Sequence, residues 1–212
     1  MKFYDITVPI LNTMPVWPGD PPVIVERTKS ISKGNSCNLT SLAMGVHCGT
    51  HIDAPLHFMD RGRAVDDIPL DVLNGPCRVV GIDAKSLIEK KHIENLGLGG
   101  YKRILFKTAN SELWKNNTAA FYEGFTALGL SAAEYLAELG VSLVGIDYLS
   151  IESFHAEKEH PVHKMLLKNN IVILESVDLS GVQPAEYELV CLPLRITGAE
   201  GAPVRAVLYE KS

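Results

Sequence analysis

The stretch HCGTHIDAPLH, residues 47–57, places three of the chain's seven histidines and one aspartate close together. Imidazole and carboxylate groups together are the ligands of zinc, manganese and related metals. A polar, histidine-rich surface loop is the alternative interpretation. In such a loop, the spacing of four ligand side chains around a glycine and a proline would be a coincidence. The stretch therefore predicts a metal site.

The spacing within this stretch indicates an extended chain that bends. The three histidines and Asp53 all occupy odd positions, so in an extended segment their side chains share one face. In a straight strand, however, His47 and His51 would lie about 13 Å apart, which is too far for one metal ion. Gly49 and Pro55 lie between the candidate ligands, where a departure from the regular strand is least costly. We therefore expect the chain to bend at these two residues.

The composition is that of an ordinary globular protein. Of the 212 residues, 46% are hydrophobic and 21% are charged, and the formal net charge is −5. This charge argues against a nucleic-acid partner, and no apolar run approaches the ~18 residues of a membrane span. Asp5, Pro9 and Pro15 interrupt any signal-peptide core. The four cysteines form no Cys-x-x-Cys pair and are expected to be reduced. These features predict one domain, residues 1–212, in the cytoplasm, with no nucleic-acid and no membrane partner.

Strands dominate the predicted secondary structure. Apolar, β-prone segments predict strands at residues 3–8, 23–25, 42–46, 77–83, 103–108, 141–148, 171–177, 189–196 and 203–209. Helices are predicted at residues 86–96, 131–140 and 160–168. Ser131 and Glu134 have the spacing of a capping box, and Gly140 has the residue type expected just after a helix end. Few helices that follow strands predict the α/β class with a mixed sheet.

The stretch 47–57 matches the motif His-x-Gly-Thr-His-x-Asp-x-Pro-x-His of a family of metal-dependent hydrolases labelled "putative cyclase". This family includes bacterial kynurenine formamidases and isatin hydrolases. The chain resembles the family over most of its length, because residues 17–20, 144–147, 187–194 and 202–207 also match. The resemblance implies a swivelling β/β/α domain that forms homodimers or larger assemblies. It also implies one or two Zn²⁺ ions, with Mn²⁺ as the alternative.

The resemblance further implies a set of metal ligands. His47, His51 and Asp53 would bind one metal ion. His57 and Glu175 would bind a second ion that Asp53 bridges, or would take part in a mononuclear site. The residues themselves support Glu175, because a carboxylate inside an apolar strand is costly unless it is paired or bound to a metal.

The same resemblance implies the remaining roles. His163 would be the acid–base residue, and His57 is a second candidate for this role. Trp17 is expected to line the substrate pocket, with a buried structural tryptophan as the alternative. His155 and His160 match no motif position and are expected to be solvated.

By this resemblance the chain is an arylformamidase, which hydrolyses the small-molecule amide N-formylkynurenine to kynurenine and formate through a metal-bound water. Two features depart from the formamidase pattern. Ser176 stands where asparagine or glycine is expected, and residues 109–124 match no formamidase pattern. The alternatives are a lactam hydrolase of the isatin type, a non-catalytic metal-binding or ligand-binding protein on the same fold, and a purely structural zinc site. Residues 109–124 are expected to shape the pocket and to separate the two enzyme hypotheses.

Overall fold

Short strands make up most of the regular structure. A computed structural model describes residues 1–115, 120–156 and 158–210. The strands in these ranges are β1 (Phe3–Asp5), β2 (Ile24–Lys29), β3 (Leu39–Ala43), β4 (His51–Asp53), β5 (Asn74–Gly81), β6 (Leu87–Ile88), β7 (Arg103–Lys107), β8 (Ala127–Leu128), β9 (Leu143–Ile146), β10 (Val172–Glu175), β11 (Glu186–Pro193) and β12 (Gly201–Tyr209). Each predicted strand region overlaps one of these strands.

The helices are short. Those in the described ranges are α1 (Leu70–Leu73), α2 (Lys90–Ile93), α3 (Ser111–Lys115), α4 (Leu130–Glu138) and α5 (Pro161–Lys168). Helix α4 packs against α2 and α5, and α5 also packs against β10. No helix in the described part of the chain has the length and hydrophobicity needed to span a bilayer.

Seven strands of the main sheet close into a barrel. The strand order in this sheet is β1-β12-β11-β5-β7-β9-β10-β4, and β4 also pairs with β12. Strands β5, β7, β9 and β10 run parallel to one another, whereas the pairs made by β4, β11 and β12 are antiparallel. Strand β1 pairs with the far end of β12. The predicted α/β class with a mixed sheet and few helices is confirmed.

Side chains of the barrel strands alternate between two apolar cores. In β7, Leu105 belongs to one core and Phe106 to the other, as expected for a strand covered on both faces. The first core includes Ile52 of β4 and fills the barrel. The second core lies outside the barrel beneath α4 and α5, which contribute Leu136 and Leu166. The two helices are therefore fixed to the barrel by apolar packing.

Two of the helix predictions need correction. The region predicted as a helix at residues 86–96 contains β6, which pairs with β8, and only the short helix α2. The capping box at Ser131 is also absent, because Gly129 is the N-cap of α4. The Ser131 hydroxyl instead donates a hydrogen bond to the Glu89 carboxylate and accepts one from the backbone N–H of Lys90. A partner distant in sequence thus replaces the local cap. The predicted helix at residues 160–168 is confirmed.

The packing of α5 depends on Leu166, which is fully buried in the second core. We expect Leu166→Ala to lower the free energy of unfolding by about 2–5 kcal/mol, because the lost contacts leave a cavity. Chemical denaturation measures this change. Leu70→Ala removes the same atoms from a side chain that is 63% exposed and should cost at most about 0.5 kcal/mol. Equal losses in the two variants would contradict this packing of α5.

Candidate metal centre

Two neighbouring strands place three ligand side chains on one face of the sheet. His51 and Asp53 lie two residues apart in β4, so their side chains point to the same side. In the antiparallel pairing of β4 with β10, Glu175 lies directly opposite His51. His51 Nε2 is 3.2 Å from Glu175 Oε2 and 3.5 Å from Asp53 Oδ1. The register of β4 and β10 therefore builds the centre of the site.

The bends expected at Gly49 and Pro55 are present. Gly49 has φ +65°, a left-handed conformation that glycine adopts without strain, and Pro55–His57 form a 3₁₀ turn. As a result, the ring centroid of His47 lies 5.1 Å from that of His51 and 4.0 Å from that of His57. Extended conformation is limited to β4, so the chain folds around the site and does not run straight past it.

The backbone of β12 forms the back of the site. Gly201 pairs with Asp53 in the antiparallel ladder of β12 and β4. A Cβ atom at this position would lie 2.7 Å from Cε1 of His47 and 2.8 Å from the carbonyl oxygen of Ile52. Only glycine leaves room for this ring. The His47 ring is thereby held where its Nδ1 lies 2.8 Å from Asp53 Oδ1.

The buried ligand atoms fit a divalent cation. His51 Nδ1 donates a hydrogen bond to the Gly49 carbonyl oxygen, 2.8 Å away, which leaves the Nε2 lone pair of the neutral ring facing the carboxylates. Within the described residues, His47 Nε2, His51 Nε2 and Asp53 Oδ2 are buried and have no hydrogen-bond partner. Buried polar atoms are costly when they have no partner, and a metal ion would provide one. Imidazole nitrogens and carboxylate oxygens are donors that divalent metal ions take in proteins.

Two groups of ligand atoms share Asp53. One group consists of His47, Asp53 and His57, and the other of His51, Asp53 and Glu175. Within each group the ligand atoms lie within 4.8 Å of one another. This arrangement suits either one ion or two ions with Asp53 between them.

The electrostatics of the site favour positive charge between the carboxylates. Burial opposes protonation of His51, but the carboxylates of Asp53 and Glu175 beside its Nε2 outweigh this effect and raise the pKa of His51 to about 10. Burial also raises the pKa of Asp53, but the hydrogen bond from His47 and the neighbouring His51 ring outweigh this effect and hold the pKa of Asp53 well below its usual range. Burial and the charge of Asp53 raise the pKa of Glu175, but the His163 and His51 rings outweigh them and lower it. Both buried carboxylates thus stay ionised and stabilise a cation beside them.

Helix α5 carries His163 to the edge of this cluster. His163 Nε2 lies 3.4 Å from Glu175 Oε1 and 3.8 Å from Asp53 Oδ2. Its Nδ1 donates a 2.6 Å hydrogen bond to Glu152 Oε2. Burial works against the charged ring, but hydrogen bonds to Glu152 and Glu175 raise the pKa of His163 to about 10. Glu152 is buried and was missed in the sequence, where no spacing or polarity pattern separates it from an exposed turn residue.

His57 and His160 differ from the ligands above in their surroundings. His57 is half-buried, and its ring stacks on that of His47. Burial lowers the pKa of His57, and the charges of His47 and His163 add to this effect against the opposing charge of Asp53. The side chain of His160 is 44% exposed, which agrees with the expectation that it is solvated, and its Nδ1 lies 3.6 Å from Glu152 Oε2. His155 is exposed, as expected.

A cavity of about 270 Å³ opens onto the cluster. His57, His163 and Glu175 form its polar floor, and Trp17 and Phe154 contribute an aromatic wall. The predicted position of Trp17 at the pocket is therefore present in the structure. An aromatic wall opposite a polar floor suits a small substrate that carries an aryl ring next to its reacting group.

The segment at residues 109–124 supports this wall from behind. Phe121 packs edge-on against Trp17 at a ring-centroid distance of 5.2 Å and against Phe154 at 5.2 Å. Trp114 Nε1 donates a hydrogen bond to the Asp147 carbonyl oxygen, 2.9 Å away. Residues 116–119 lie outside the described residues. Within the described part, the segment influences the cavity through Trp17 and Phe154, which is less direct than expected.

The departure at Ser176 has a conformational explanation. Ser176 has φ +56°, in the left-handed region that asparagine and glycine favour. Its N–H donates to the Tyr148 carbonyl oxygen at 2.7 Å, and its carbonyl oxygen accepts from the Thr50 hydroxyl at 2.6 Å. These bonds hold the strained backbone directly after Glu175. The expectation of asparagine or glycine at this position therefore follows from the backbone conformation and does not depend on the substrate.

Fold and site together define a mixed α/β barrel protein with a buried histidine–carboxylate cation site beneath a cavity. The chain matches the model of the family described as "Putative cyclase" over residues 4–153. The chain belongs to this family, as its motif predicted. It is 38% identical over 207 residues to a kynurenine formamidase of Bacillus cereus, with 98% of this chain and 97% of the relative covered. A kynurenine formamidase of Bacillus anthracis is 37% identical with the same coverage.

Solved structures agree with this assignment. A potential metal-dependent hydrolase with cyclase activity superimposes with a TM-score of 0.85 at 36% identity, covering 100% of this chain and 98% of the other. An isatin hydrolase bound to the product analogue thioisatinate has a TM-score of 0.85 at 21% identity, covering 99% and 93% of the two chains. The second likeness shows the fold alone. The fold class implied by the motif is thereby confirmed.

The strained backbone at Ser176 predicts a difference between two substitutions. Ser176→Gly should be more stable than Ser176→Ala by about 0.5–1 kcal/mol, because glycine avoids the left-handed penalty of about 1–2 kcal/mol but loses more backbone entropy on folding. Urea denaturation of the two variants side by side measures the difference. An alanine variant as stable as the glycine variant would show that this backbone is not strained.

Proposed function

We propose that the chain is a metal-dependent amide hydrolase, an arylformamidase that converts N-formylkynurenine to kynurenine and formate. The observation that carries this function is the buried cluster of histidines and carboxylates, with three unpartnered ligand atoms, at the polar floor of a cavity with an aromatic wall. The curated relatives, which match almost the full chain, support the same reaction class and substrate.

The cation of this proposal is zinc, with manganese as the alternative, and one or two ions. His47, His51 and Asp53 would hold one ion, and Asp53 and Glu175 would contribute to a second. A zinc ion in such a site lowers the pKa of a bound water to about 7 and polarises a carbonyl oxygen. The chain's own contribution is to keep the carboxylates ionised and to orient the ligand atoms towards one another.

The geometry supports a division of roles between His57 and His163 that differs from the one implied by the motif. His163 is buried, and its Nε2 faces both Asp53 and Glu175 while its Nδ1 is engaged by Glu152. This is the pattern of a metal-ligating histidine, whose second nitrogen donates to a carboxylate. We therefore assign His163 to the second ion beside these two carboxylates.

We assign His57, the other histidine of this pair, to proton transfer. It lines the cavity and stacks on a ligand histidine without a carboxylate partner for its own ring among the described hydrogen bonds. In the proposed reaction His57 accepts a proton from the attacking water on a ring nitrogen as the water oxygen bonds to the formyl carbon. It returns this proton to the aniline nitrogen as the carbon–nitrogen bond breaks. Kynurenine and formate result.

The aromatic wall positions the substrate in this proposal. Trp17 and Phe154 would contact the aryl ring, and their packing on Phe121 keeps the wall rigid. A rigid wall holds the formyl group over the cluster at a fixed distance, which is how orientation lowers the barrier of the reaction.

Three further predictions from the sequence complete the proposal. The chain forms a single domain over residues 1–212, lies in the cytoplasm and assembles into a homodimer or a larger homo-oligomer. The β2–β3 hairpin supports assembly, because Ile24, Leu39 and Leu42 on it are each about half exposed. By the register of the hairpin, Ile24 and Leu39 lie on one face and Leu42 on the other, so each face exposes an apolar side chain that another chain could cover.

The proposed reaction predicts metal-dependent turnover of one substrate. The purified chain should hydrolyse N-formylkynurenine at about 1–10³ s⁻¹, lose this activity on treatment with a chelator and regain it with zinc or manganese. Absorbance spectroscopy of the released kynurenine measures the rate. Hydrolysis of isatin in place of N-formylkynurenine would support the lactam hydrolase instead. Bound metal with no turnover of either amide would favour a binding or structural site.

The proposed division of roles predicts that substitutions of His57 and His163 have different effects. His57→Gln should lower kcat by about 10²–10⁴-fold with the metal content unchanged, because proton transfer is lost while the ligands remain. His163→Gln should instead weaken metal binding. His155→Gln, at an exposed histidine, is the matched control and should change neither quantity. Elemental analysis and steady-state kinetics measure both. Loss of metal from His57→Gln would make His57 a ligand.

A further inference from the structure

Glu152 is a buried carboxylate outside the set of ligands, and both of its oxygens are engaged. It is 2% exposed. Oε1 accepts a 2.9 Å hydrogen bond from the backbone N–H of Val162, and Oε2 accepts the 2.6 Å hydrogen bond from His163 Nδ1. One carboxylate therefore connects the first turn of α5 with the imidazole that this helix carries.

We propose that Glu152 is a positioning residue that sets the tautomer of His163. Because Nδ1–H donates to the carboxylate, a His163 ring whose second proton is replaced by a cation has its lone pair on Nε2, the nitrogen that faces Asp53 and Glu175. The inference rests on the proposed function in one respect only, namely that His163 contributes Nε2 to a cation.

The contact with Val162 makes this orientation rigid. The same carboxylate accepts from the helix backbone and from the side chain one residue further on, so a rotation of His163 cannot carry the carboxylate along with it. Helix α5 begins at Pro161, which follows His160 with φ +50°. The left-handed turn at His160 directs the first helical N–H groups towards Glu152. The backbone conformation at His160 thus favours the position of α5 in which both donors, the Val162 N–H and the His163 Nδ1–H, reach the Glu152 carboxylate.

A structural role alone does not account for this arrangement. An N-terminal helix contact requires only one acceptor oxygen, which a serine or asparagine would supply. The second oxygen is used for the ring, at the shorter of the two distances. Glu152 is also part of a group of three possible ligands with His160 and His163. However, both oxygens already accept hydrogen bonds, so this group is better suited to orient the ring than to hold an ion.

The test uses Glu152→Gln in the full chain. Glutamine has nearly the same shape but only one acceptor oxygen, so it serves one of the two donors. If the oxygen stays on Val162, the amide NH₂ faces His163 Nδ1 and moves the ring proton to Nε2. We expect zinc affinity to fall about 10–100-fold and kcat to fall with little change in KM. Competition with a chromophoric chelator measures the affinity.

Glu159→Gln is the matched control. Glu159 lies just before α5, is exposed and pairs only with Lys164 in the described part of the chain, so its variant should bind zinc like the wild type. A Glu152→Gln variant with a lower melting temperature but the zinc affinity of this control would show a purely structural carboxylate and overturn the proposal. This comparison needs no substrate, so it does not depend on whether N-formylkynurenine is hydrolysed.

A second measurement applies even if Glu152→Gln fails to fold. Long-range ¹H–¹⁵N correlation spectra of the zinc-loaded wild type identify which nitrogen of each imidazole carries a proton. The His163 signals are assigned by their absence from the spectrum of His163→Gln, recorded at a zinc concentration that saturates the variant. The proposal requires a protonated Nδ1 and an unprotonated Nε2 on His163. A proton on Nε2 would overturn it.

Discussion

The double pairing of β4 is the constraint on which the rest of the structure depends. This strand is three residues long, yet it pairs with β10 on one edge and with β12 on the other. The pairing closes the barrel and leaves β4 without a free edge. It also determines the site, because Glu175 lies opposite His51 and Gly201 lies opposite Asp53. The barrel and the cation site are consequences of the same set of backbone hydrogen bonds.

This constraint explains how charged groups tolerate burial. An isolated buried carboxylate would be far too costly, and the site contains two, with a third at Glu152. Each is offset by specific donors: the Ile151 N–H on Glu175, His47 Nδ1–H on Asp53, and Val162 with His163 on Glu152. The apolar face of β4, through Ile52, packs into the barrel core and keeps these donors in place.

Local sequence patterns predicted what depends on local chemistry. The strand regions follow from apolar, β-prone segments, and the bends at Gly49 and Pro55 follow from the conformational preferences of those residues. The wrong predictions share a different cause. Ser131 has the residue type of a cap, but its hydroxyl binds Glu89 of another segment. Residues 86–96 have the pattern of one helix, but Leu87 and Ile88 pair with β8 as a strand. In both cases a partner distant in sequence overrides the local preference.

The sequence by itself determined the family, the fold class and the ligand types, because the motif of residues 47–57 concentrates imidazole and carboxylate at a spacing that fits a bent chain around a cation. Only the tertiary structure decided how these groups face one another. It brought Glu175 opposite His51 through strand register, added Glu152 behind His163, and placed Trp17 with Phe154 in the cavity wall. The physical reason is that orientation and burial arise from contacts between segments far apart in the chain. A linear pattern records residue types but not the distances between such segments.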